Sequence, residues 1–212
     1  MATVPRVLAC IGFASAISAA ACSNPETERL KKTTIPTYDK KTGRLVEITY
    51  DRDKNGRIDT WTEMDGTKTL RSRVDLDEDG KIDRWEYYDD KGGLAKVGFS
   101  RKQDGHEDAW AYSGPDGKVA RVEISSRGDE QKIDRREFYE GDGLARAEED
   151  TDVNGQIDRW ESYENGALKT AAMDEDGNGA PDRRFTYAGG ALVLIESAPD
   201  ASGKFTKHVA VK

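Results

Sequence analysis

Short stretches in which apolar and polar residues alternate recur along the chain from residue 45 onward. A period of two residues is typical of a β-strand with one buried face and does not fit a helix. The clearest apolar triplets are Val46, Ile48 and Tyr50, then Ala95, Val97 and Phe99, and then Ala120, Val122 and Ile124. Segments rich in aromatic residues, such as Arg84–Tyr88, lie between these stretches. Such segments are typical of partner strands, so the pattern predicts antiparallel strand pairs.

Turn-forming dipeptides separate the two kinds of segment. Their glycines adopt positive φ at low cost, which tight hairpin turns require. The dipeptides are Asp65-Gly66, Gly92-Gly93, Asp116-Gly117, Asp142-Gly143, Asn165-Gly166 and Gly189-Gly190. Each unit is therefore predicted to be a strand, a glycine turn, a second strand and an aspartate-rich loop. The aspartate-rich loops are expected along one edge of the array and the glycine turns along the other.

One aspartate of the aspartate-rich loop repeats every 24 to 26 residues. Its copies are Asp59, Asp83, Asp108, Asp134, Asp158 and Asp182. Two residues after four of these stands a tryptophan, at Trp61, Trp85, Trp110 and Trp160. Repeats of this length bury their apolar faces against neighbouring repeats. The sequence predicts an all-β fold, an elongated antiparallel meander of tandem β-hairpin repeats of 24–26 residues.

The alternation of a Trp/Tyr strand with a glycine turn resembles the bacterial variant of the MORN repeat over residues 37–197. The resemblance implies that tryptophan and tyrosine side chains stack across neighbouring hairpins. It also implies a binding or scaffolding role more readily than catalysis. The packing of these rings is the preferred interpretation of the tryptophan ladder, and a sugar- or peptide-binding stripe is the alternative.

The loop 75–86 carries oxygen-bearing groups at positions 1, 3, 5, 7, 9 and 12 and glycine at position 6. The predicted ligands are Asp75, Asp77, Asp79, Lys81 through its backbone carbonyl, Asp83 and Glu86. This spacing resembles the calcium loop of the EF-hand family, in which about six to eight oxygens converge on one ion. The resemblance implies Ca²⁺ as a structural cofactor.

The other loops match this pattern unequally. The loop 150–161 offers Asp150, Asp152, Asn154, Gln156 through its carbonyl, Asp158 and Glu161. Two loops lack an acid at position 12, where Thr62 and Phe185 stand, and offer Asp51, Asp53, Asn55, Asp59, Asp174, Asp176, Asn178 and Asp182. The loop beginning at Ser100 has Lys102 in place of a ligand, and the loop beginning at Ser126 lacks the glycine and the first two carboxylates. Neither of these last two is predicted to bind calcium.

A metal-free interpretation of the same loops stays open. Asp and Asn followed by Gly also form turns without an ion, because their side chains satisfy the turning backbone. Three carboxylates that converge without a cation repel one another, which favours metal binding.

The N-terminus begins with Arg6 and an apolar run that ends in small residues before Cys22. This is typical of an export signal and resembles the lipobox of bacterial lipoproteins, whose cysteine is acylated. We predict a lipoprotein signal peptide over 1–21, a flexible tether over 22–35 and a repeat domain with a C-terminal cap strand over 36–212. Ser23 resembles an outer-membrane sorting signal of Gram-negative bacteria. The alternative is an ordinary signal cut that leaves Cys22 as a free thiol.

The formal net charge of −8 argues against nucleic acid as a partner, because phosphates require a basic surface. With His106 and His208 as the only histidines, no catalytic triad is predicted, and the protein is expected not to be an enzyme. The leading hypothesis is a lipid-anchored cell-envelope protein with calcium-stabilised β-repeats that binds a protein or glycan or serves as a spacer. The alternatives are a metal-independent, adhesin-like scaffold and, more distantly, a carbohydrate-processing enzyme.

Overall fold

The computed structural model describes residues 33–127 and 132–211. The predicted signal peptide over 1–21, Cys22 and most of the predicted tether lie outside the described residues. The first strand begins at Thr34, two residues before the predicted start of the repeat domain. No helix within the described residues has the length and hydrophobicity needed to cross a membrane.

The described residues form one open sheet of fifteen antiparallel strands whose spatial order is their order along the chain. This confirms the predicted all-β meander of tandem hairpins. The strands are β1 (Thr34–Tyr38), β2 (Leu45–Tyr50), β3 (Thr60–Asp65), β4 (Lys68–Val74), β5 (Arg84–Tyr88), β6 (Leu94–Phe99), β7 (Ala109–Ser113), β8 (Val119–Ile124), β9 (Arg135–Glu140), β10 (Gly143–Glu149), β11 (Arg159–Glu164), β12 (Ala167–Met173), β13 (Arg183–Ala188), β14 (Ala191–Pro199) and β15 (Phe205–Ala210).

Because every strand pairs with the next one, alternate connections lie at opposite edges of the sheet. The glycine turns occupy one edge, and the aspartate-rich loops occupy the other, as the sequence predicts. We name these loops L1 (51–59), L2 (75–83), L3 (100–108), L4 (125–134), L5 (150–158) and L6 (174–182). The turn between β14 and β15 lies at the same edge as L1 to L6.

The strand register slips by one residue next to every glycine turn, which is a β-bulge that the sequence alternation does not predict. In the first hairpin, Thr37 pairs with Glu47 and Tyr38 with Leu45, so that Val46 is left over. Val46 is 39% exposed and does not join the apolar face predicted for it. The equivalent unpaired residues in the later hairpins are Leu70, Ala95, Ala120, Ala145, Lys169 and Val193. Bulges of this kind bend the strand and increase its twist.

All four tryptophans lie in one row that crosses the strands. Trp61 pairs with Arg73, which pairs with Trp85, and the row continues through Gly98 to Trp110 and, four strands further on, to Trp160. Trp85 is only 7% exposed and Trp110 only 2%, although the described residues form no second layer over the sheet. These two rings are therefore packed, which argues against the ligand stripe that was the alternative.

In a second row on the same face, aromatic rings alternate with cationic side chains. The Lys96 ammonium lies 4.3 Å from the ring centre of Tyr87, and the Arg121 guanidinium lies 4.3 Å from that of Tyr112. Each such contact contributes about 0.5–1 kcal/mol at an exposed site. A sheet with a thin core is thus stabilised by contacts between neighbouring strands.

Candidate metal centres

All six loops share an aspartate at position 9 that closes the loop. The carboxylate of Asp59 accepts a hydrogen bond from the backbone N–H of Arg52 at 3.0 Å, and that of Asp108 accepts one from Arg101 at 2.8 Å. The backbone carbonyl of Asp59 also accepts a hydrogen bond from the N–H of Asp75 in the next loop, at 2.9 Å. Since L3 and L4 keep this aspartate without carboxylates at positions 1 and 3, its first role is structural.

The residue at position 1 holds the tight turn inside each metal-type loop. Asp75 Oδ2 accepts a hydrogen bond from the N–H of Gly80 at 2.9 Å, and Asp150 Oδ2 accepts one from Gly155 at 2.7 Å. Gly80 has φ of +89°, which explains why glycine is needed there. In L3 the hydroxyl of Ser100 accepts the same bond from Gly105 at 3.2 Å. The turn therefore forms without a carboxylate at position 1.

In L1, L2, L5 and L6 the structure brings the carboxylates of positions 1, 3 and 9 together. In each loop, one oxygen from each of the three residues lies within 4.8 Å of the others, which is close enough to share one ion. The clusters are Asp51, Asp53 and Asp59; Asp75, Asp77 and Asp83; Asp150, Asp152 and Asp158; and Asp174, Asp176 and Asp182. Within the described residues, these aspartate clusters could hold a metal ion.

The residues predicted as ligands at positions 5 and 7 lie in the same loops. The side-chain oxygen of Asn55 accepts a hydrogen bond from the backbone N–H of Arg57 at 2.8 Å, and Asp79 accepts one from Lys81 at 2.8 Å. The side-chain oxygens of Asn154 and Asn178 likewise accept a hydrogen bond from the backbone N–H two residues later. These bonds fix the orientation of the position-5 oxygens.

L2 contains a buried carboxylate oxygen that has no hydrogen-bond donor. Asp75 is 5% exposed, and its Oδ1 atom has no hydrogen-bond partner, while its Oδ2 is held by Gly80. Burying a charged oxygen without a partner is costly, so such an atom calls for a cation or a donor. Because Asp75 belongs to the L2 cluster, this oxygen is an independent indication of a bound ion.

In L6 the backbone holds Asp174 in its ionised form. Burial acts to raise the pKa of Asp174, but the N–H groups of Gly179, Gly177 and Asn178 donate to its carboxylate and hold the pKa below its usual value. An ionised carboxylate is the form that binds a cation.

The glutamates predicted at position 12 do not join the clusters. Glu86 lies on β5, where it forms an ion pair with Arg84 at 2.8 Å and accepts a hydrogen bond from the Tyr88 hydroxyl at 2.7 Å. Residues two apart on a strand lie on the same face, which brings the three side chains together. The same trio, Arg159, Glu161 and Tyr163, lies on β11. Glu86 and Glu161 therefore do not join the loop carboxylates to complete the coordination shell, although the sequence pattern predicted that they would.

The trio also occurs after a loop whose described residues contain no cluster. On β9, directly after L4, Glu137 pairs with Arg135 at 2.9 Å and accepts a hydrogen bond from Tyr139 at 3.0 Å. A glutamate at this position thus belongs to the strand and not to the metal loop.

Five tyrosine hydroxyls of the sheet donate to glutamates, which leads to a prediction for alkaline pH. Burial, followed by the hydrogen bond to Glu107, raises the pKa of Tyr87 to about 12. Burial and a glutamate partner also raise the pKa of Tyr88, Tyr112, Tyr139 and Tyr163. A raised pKa means that this contribution to stability is complete below the unfolded-state pKa of about 10 and is lost as the pH rises through the folded-state value.

We therefore expect the free energy of unfolding to fall steadily above about pH 10, with tyrosine ionisation in the folded protein delayed beyond that pH. Denaturant unfolding at several pH values and the ultraviolet absorbance of tyrosinate measure the two effects. The variant Glu107→Gln should bring part of the tyrosine titration to lower pH. Titration of all tyrosines at the pKa of the free amino acid would contradict the prediction.

L3 and L4 contain no cluster among their described residues. Ser100 and Lys102 occupy positions 1 and 3 of L3. L4 begins at Ser125, one residue before the start predicted from the sequence. The backbone N–H of Ser126 donates to Asp134 at 2.7 Å, and in the other loops the residue at position 2 makes this bond. Ser125 therefore occupies position 1, and L4 is one residue longer than the other loops.

Comparison with protein-family models and with curated protein sequences gives no match. Among solved structures, S. aureus TarM (the G117R mutant) is 14% identical over 49% of this chain and 22% of that chain, with a TM-score of 0.37. A TcdB2–TccC3–Cdc42 complex is 13% identical over 80% and 13% of the two chains, with a TM-score of 0.26. The Photorhabdus luminescens Tc holotoxin pore is 12% identical over 84% of this chain and 15% of that chain, with a TM-score of 0.19. This chain spans less than a quarter of each of these chains, and likeness at this level carries no functional argument.

Proposed function

We propose that the protein is an exported, lipid-anchored protein of the cell envelope whose β-repeats are stabilised by calcium. Cys22 is the proposed lipid attachment site, and the outer membrane is the proposed location. L2 and L5 are the principal calcium sites, and L1 and L6 are further sites. The repeat sheet serves as a binding module for a protein or glycan or as a spacer, with no catalytic role.

The comparison of L2 with L3 supports the calcium sites most strongly. L3 makes the same turn with Ser100 in place of an aspartate, so the fold of the loop does not require a carboxylate there. L2 nevertheless has three carboxylates whose oxygens lie within 4.8 Å of one another, and one buried oxygen of Asp75 has no partner. The carboxylates at positions 1 and 3, which the turn does not need and which lie close to a third carboxylate that repels them, are explained by a cation.

The donor set favours calcium over other divalent ions. All candidate ligands are oxygens: three carboxylates, a side-chain oxygen at position 5 and a backbone carbonyl at position 7. Calcium accepts about six to eight oxygens in a flexible geometry and tolerates water in its shell, whereas zinc prefers nitrogen and sulfur. Without an acid at position 12, binding should be weak, with Kd of about 10⁻⁴–10⁻³ M as in extracellular modules.

The expected role of the ions is structural. In a repeat array each hairpin contacts only its neighbours, so an ion that fixes one loop stabilises the two strands beside it. At free calcium ten times above Kd, each site would add about 1.4 kcal/mol to the free energy of unfolding. Four such sites at one edge of the sheet would keep the strand ends in register.

Thermal unfolding of the full chain with calcium and with chelator tests this proposal. We expect calcium to raise the melting temperature, and the double variant Asp75→Asn/Asp77→Asn to show a smaller rise and to bind one ion fewer in equilibrium dialysis. The matched control is Asp104→Asn, at position 5 of L3, which should leave the calcium effect unchanged. A melting curve that calcium does not shift would favour the metal-independent scaffold instead.

The membrane anchor has its own test. When the full chain is expressed in a Gram-negative host with radiolabelled palmitate, we expect label in the protein and recovery in the membrane fraction. The variant Cys22→Ser should lose both. Membrane recovery that does not depend on Cys22 would overturn the proposed anchor.

A further inference from the structure

L1 and L2 are linked by a side chain that is not itself a predicted ligand. Glu78, at position 4 of L2, extends to L1, where its carboxylate accepts a hydrogen bond from Asn55 Nδ2. The guanidinium of Arg57 lies 3.4 Å from the other carboxylate oxygen. The Glu78 side chain is 19% exposed, so it is held between the two loops and not free in solvent.

Asn55 connects Glu78 to the carboxylate cluster of L1. Its Nδ2 atom also donates to Asp53 Oδ2 at 3.1 Å, and Asp53 belongs to the cluster with Asp51 and Asp59. Its side-chain oxygen is the position-5 ligand candidate of L1. A change in the position of Glu78 therefore changes the orientation of the Asn55 amide, whose oxygen is the position-5 ligand candidate.

L5 and L6 lack such a link. Position 4 of L6 is Gly177, which has no side chain, and Asn154 Nδ2 of L5 donates to Asp152 in its own loop at 3.0 Å. Among the described residues, no side-chain hydrogen bond or ion pair joins L5 to L6. In both pairs the two loops are separated by two strands, about 10 Å, so repulsion between two bound ions is similar in each. The chain thus contains a linked pair and an unlinked pair.

We propose that Glu78 is a positioning residue that couples ion binding in L1 to ion binding in L2. The proposal rests on the proposed calcium sites. An ion bound to Asp77 and its neighbours fixes the backbone on either side of Glu78. Glu78 then holds the Asn55 amide with its oxygen oriented for the L1 ion, so the second ion binds to a site that is already ordered. By linkage, an ion in L1 favours binding in L2 by the same factor.

Calcium binding to full-length variants that keep one pair at a time measures this coupling. Asp150→Asn with Asp174→Asn leaves L1 and L2, and Asp51→Asn with Asp75→Asn leaves L5 and L6. In equilibrium dialysis with calcium alone, we expect the second ion in the L1–L2 pair to bind about fivefold more tightly than independent sites would allow. The L5–L6 pair should show no such enhancement.

Substitutions at Glu78 separate the hydrogen-bond link from a general effect of charge. In the L1–L2 background, Glu78→Ala should abolish the coupling, whereas Glu78→Gln, which keeps an acceptor for Asn55, should retain it. Glu175→Ala in the L5–L6 background removes an acid of L6 that is not a predicted ligand, and it should leave that pair uncoupled.

Coupling that survives Glu78→Ala, or that is lost equally in Glu78→Gln, would overturn the role of Glu78. Calcium binding by both pairs with no coupling in either would overturn this inference and leave the proposed function intact. If neither pair binds calcium, the proposed function fails and the inference fails with it.

Discussion

Replacing Trp110 with alanine is expected to lower the free energy of unfolding by about 3–5 kcal/mol, the range for truncating a buried aromatic side chain. Trp110 lies on β7 in the middle of the sheet and is 2% exposed. Its row neighbours are Gly98 on β6 and Glu123 on β8, and neither can expand into the space that the ring leaves. Denaturant unfolding followed by far-ultraviolet circular dichroism measures the loss.

Two further variants make this prediction specific. Trp61 lies in the same row on β3 but is only half-buried, so Trp61→Ala should cost clearly less than Trp110→Ala. Trp110→Phe should also cost less, because it keeps an aromatic ring and removes the indole N–H, which is buried and has no hydrogen-bond partner. Equal losses at Trp61 and Trp110 would contradict the view that the burial of each ring sets its contribution to stability.

The strand order could be predicted from the sequence because every connection between strands is short. A strand followed by a glycine turn of two to six residues, or by a loop of nine or ten, pairs most readily with its chain neighbours. The fixed spacing from Asp59 to Trp61, repeated at Asp83 and Trp85, also places the tryptophans in one row once the strands pair. Local pattern and topology agree in this chain, so the prediction of the fold required no long-range information.

The β-bulges and the start of L4 could not be predicted from the sequence, and the reason is the same for both. An alternating pattern counts residues, but it does not show where one extra residue is accommodated. In the first hairpin the extra residue is Val46, which the turn geometry leaves unpaired. In the 26-residue repeat one of the two residues beyond the common 24 enters L4, because the bond from Ser126 to Asp134 keeps the strands on both sides in register.

The position-12 glutamates show the limit of a borrowed loop pattern. In the EF-hand family that residue lies on a helix after the loop, whereas here the loop is followed by a strand. Glu86 therefore lies on the face of β5 that carries Arg84 and Tyr88. One signal in the sequence does identify this role: Arg135, Glu137 and Tyr139 repeat the same spacing after a loop that lacks the first two carboxylates.

Arg135 should be the most sensitive charged residue of the sheet. Its guanidinium contacts three carboxylates on three strands, those of Glu137 at 2.9 Å, Glu149 at 3.0 Å and Glu161 at 2.9 Å. Its side chain is 19% exposed. The variant Arg135→Met keeps much of the packing volume but leaves the acids without their shared cation. We expect a loss of about 3 kcal/mol in the free energy of unfolding at neutral pH, because unpaired buried charges are strongly destabilising.

The pH dependence of that loss identifies its cause. Burial acts to raise the pKa of Glu161, but Tyr163 and Arg135 together hold it below its usual value. A lowered pKa contributes stability above the unfolded-state value of about 4.3, and this contribution is lost as the pH falls through the folded-state value. In Arg135→Met the Glu161 carboxylate becomes easier to protonate, so the difference from wild type should shrink near about pH 4. Lys118→Met, which breaks an exposed ion pair with Asp142 at 2.9 Å, is the control and should cost about 0–1 kcal/mol at either pH. An Arg135→Met loss that is no larger than this control, or that does not change with pH, would show that the guanidinium contributes packing alone and that the three acids do not depend on its charge.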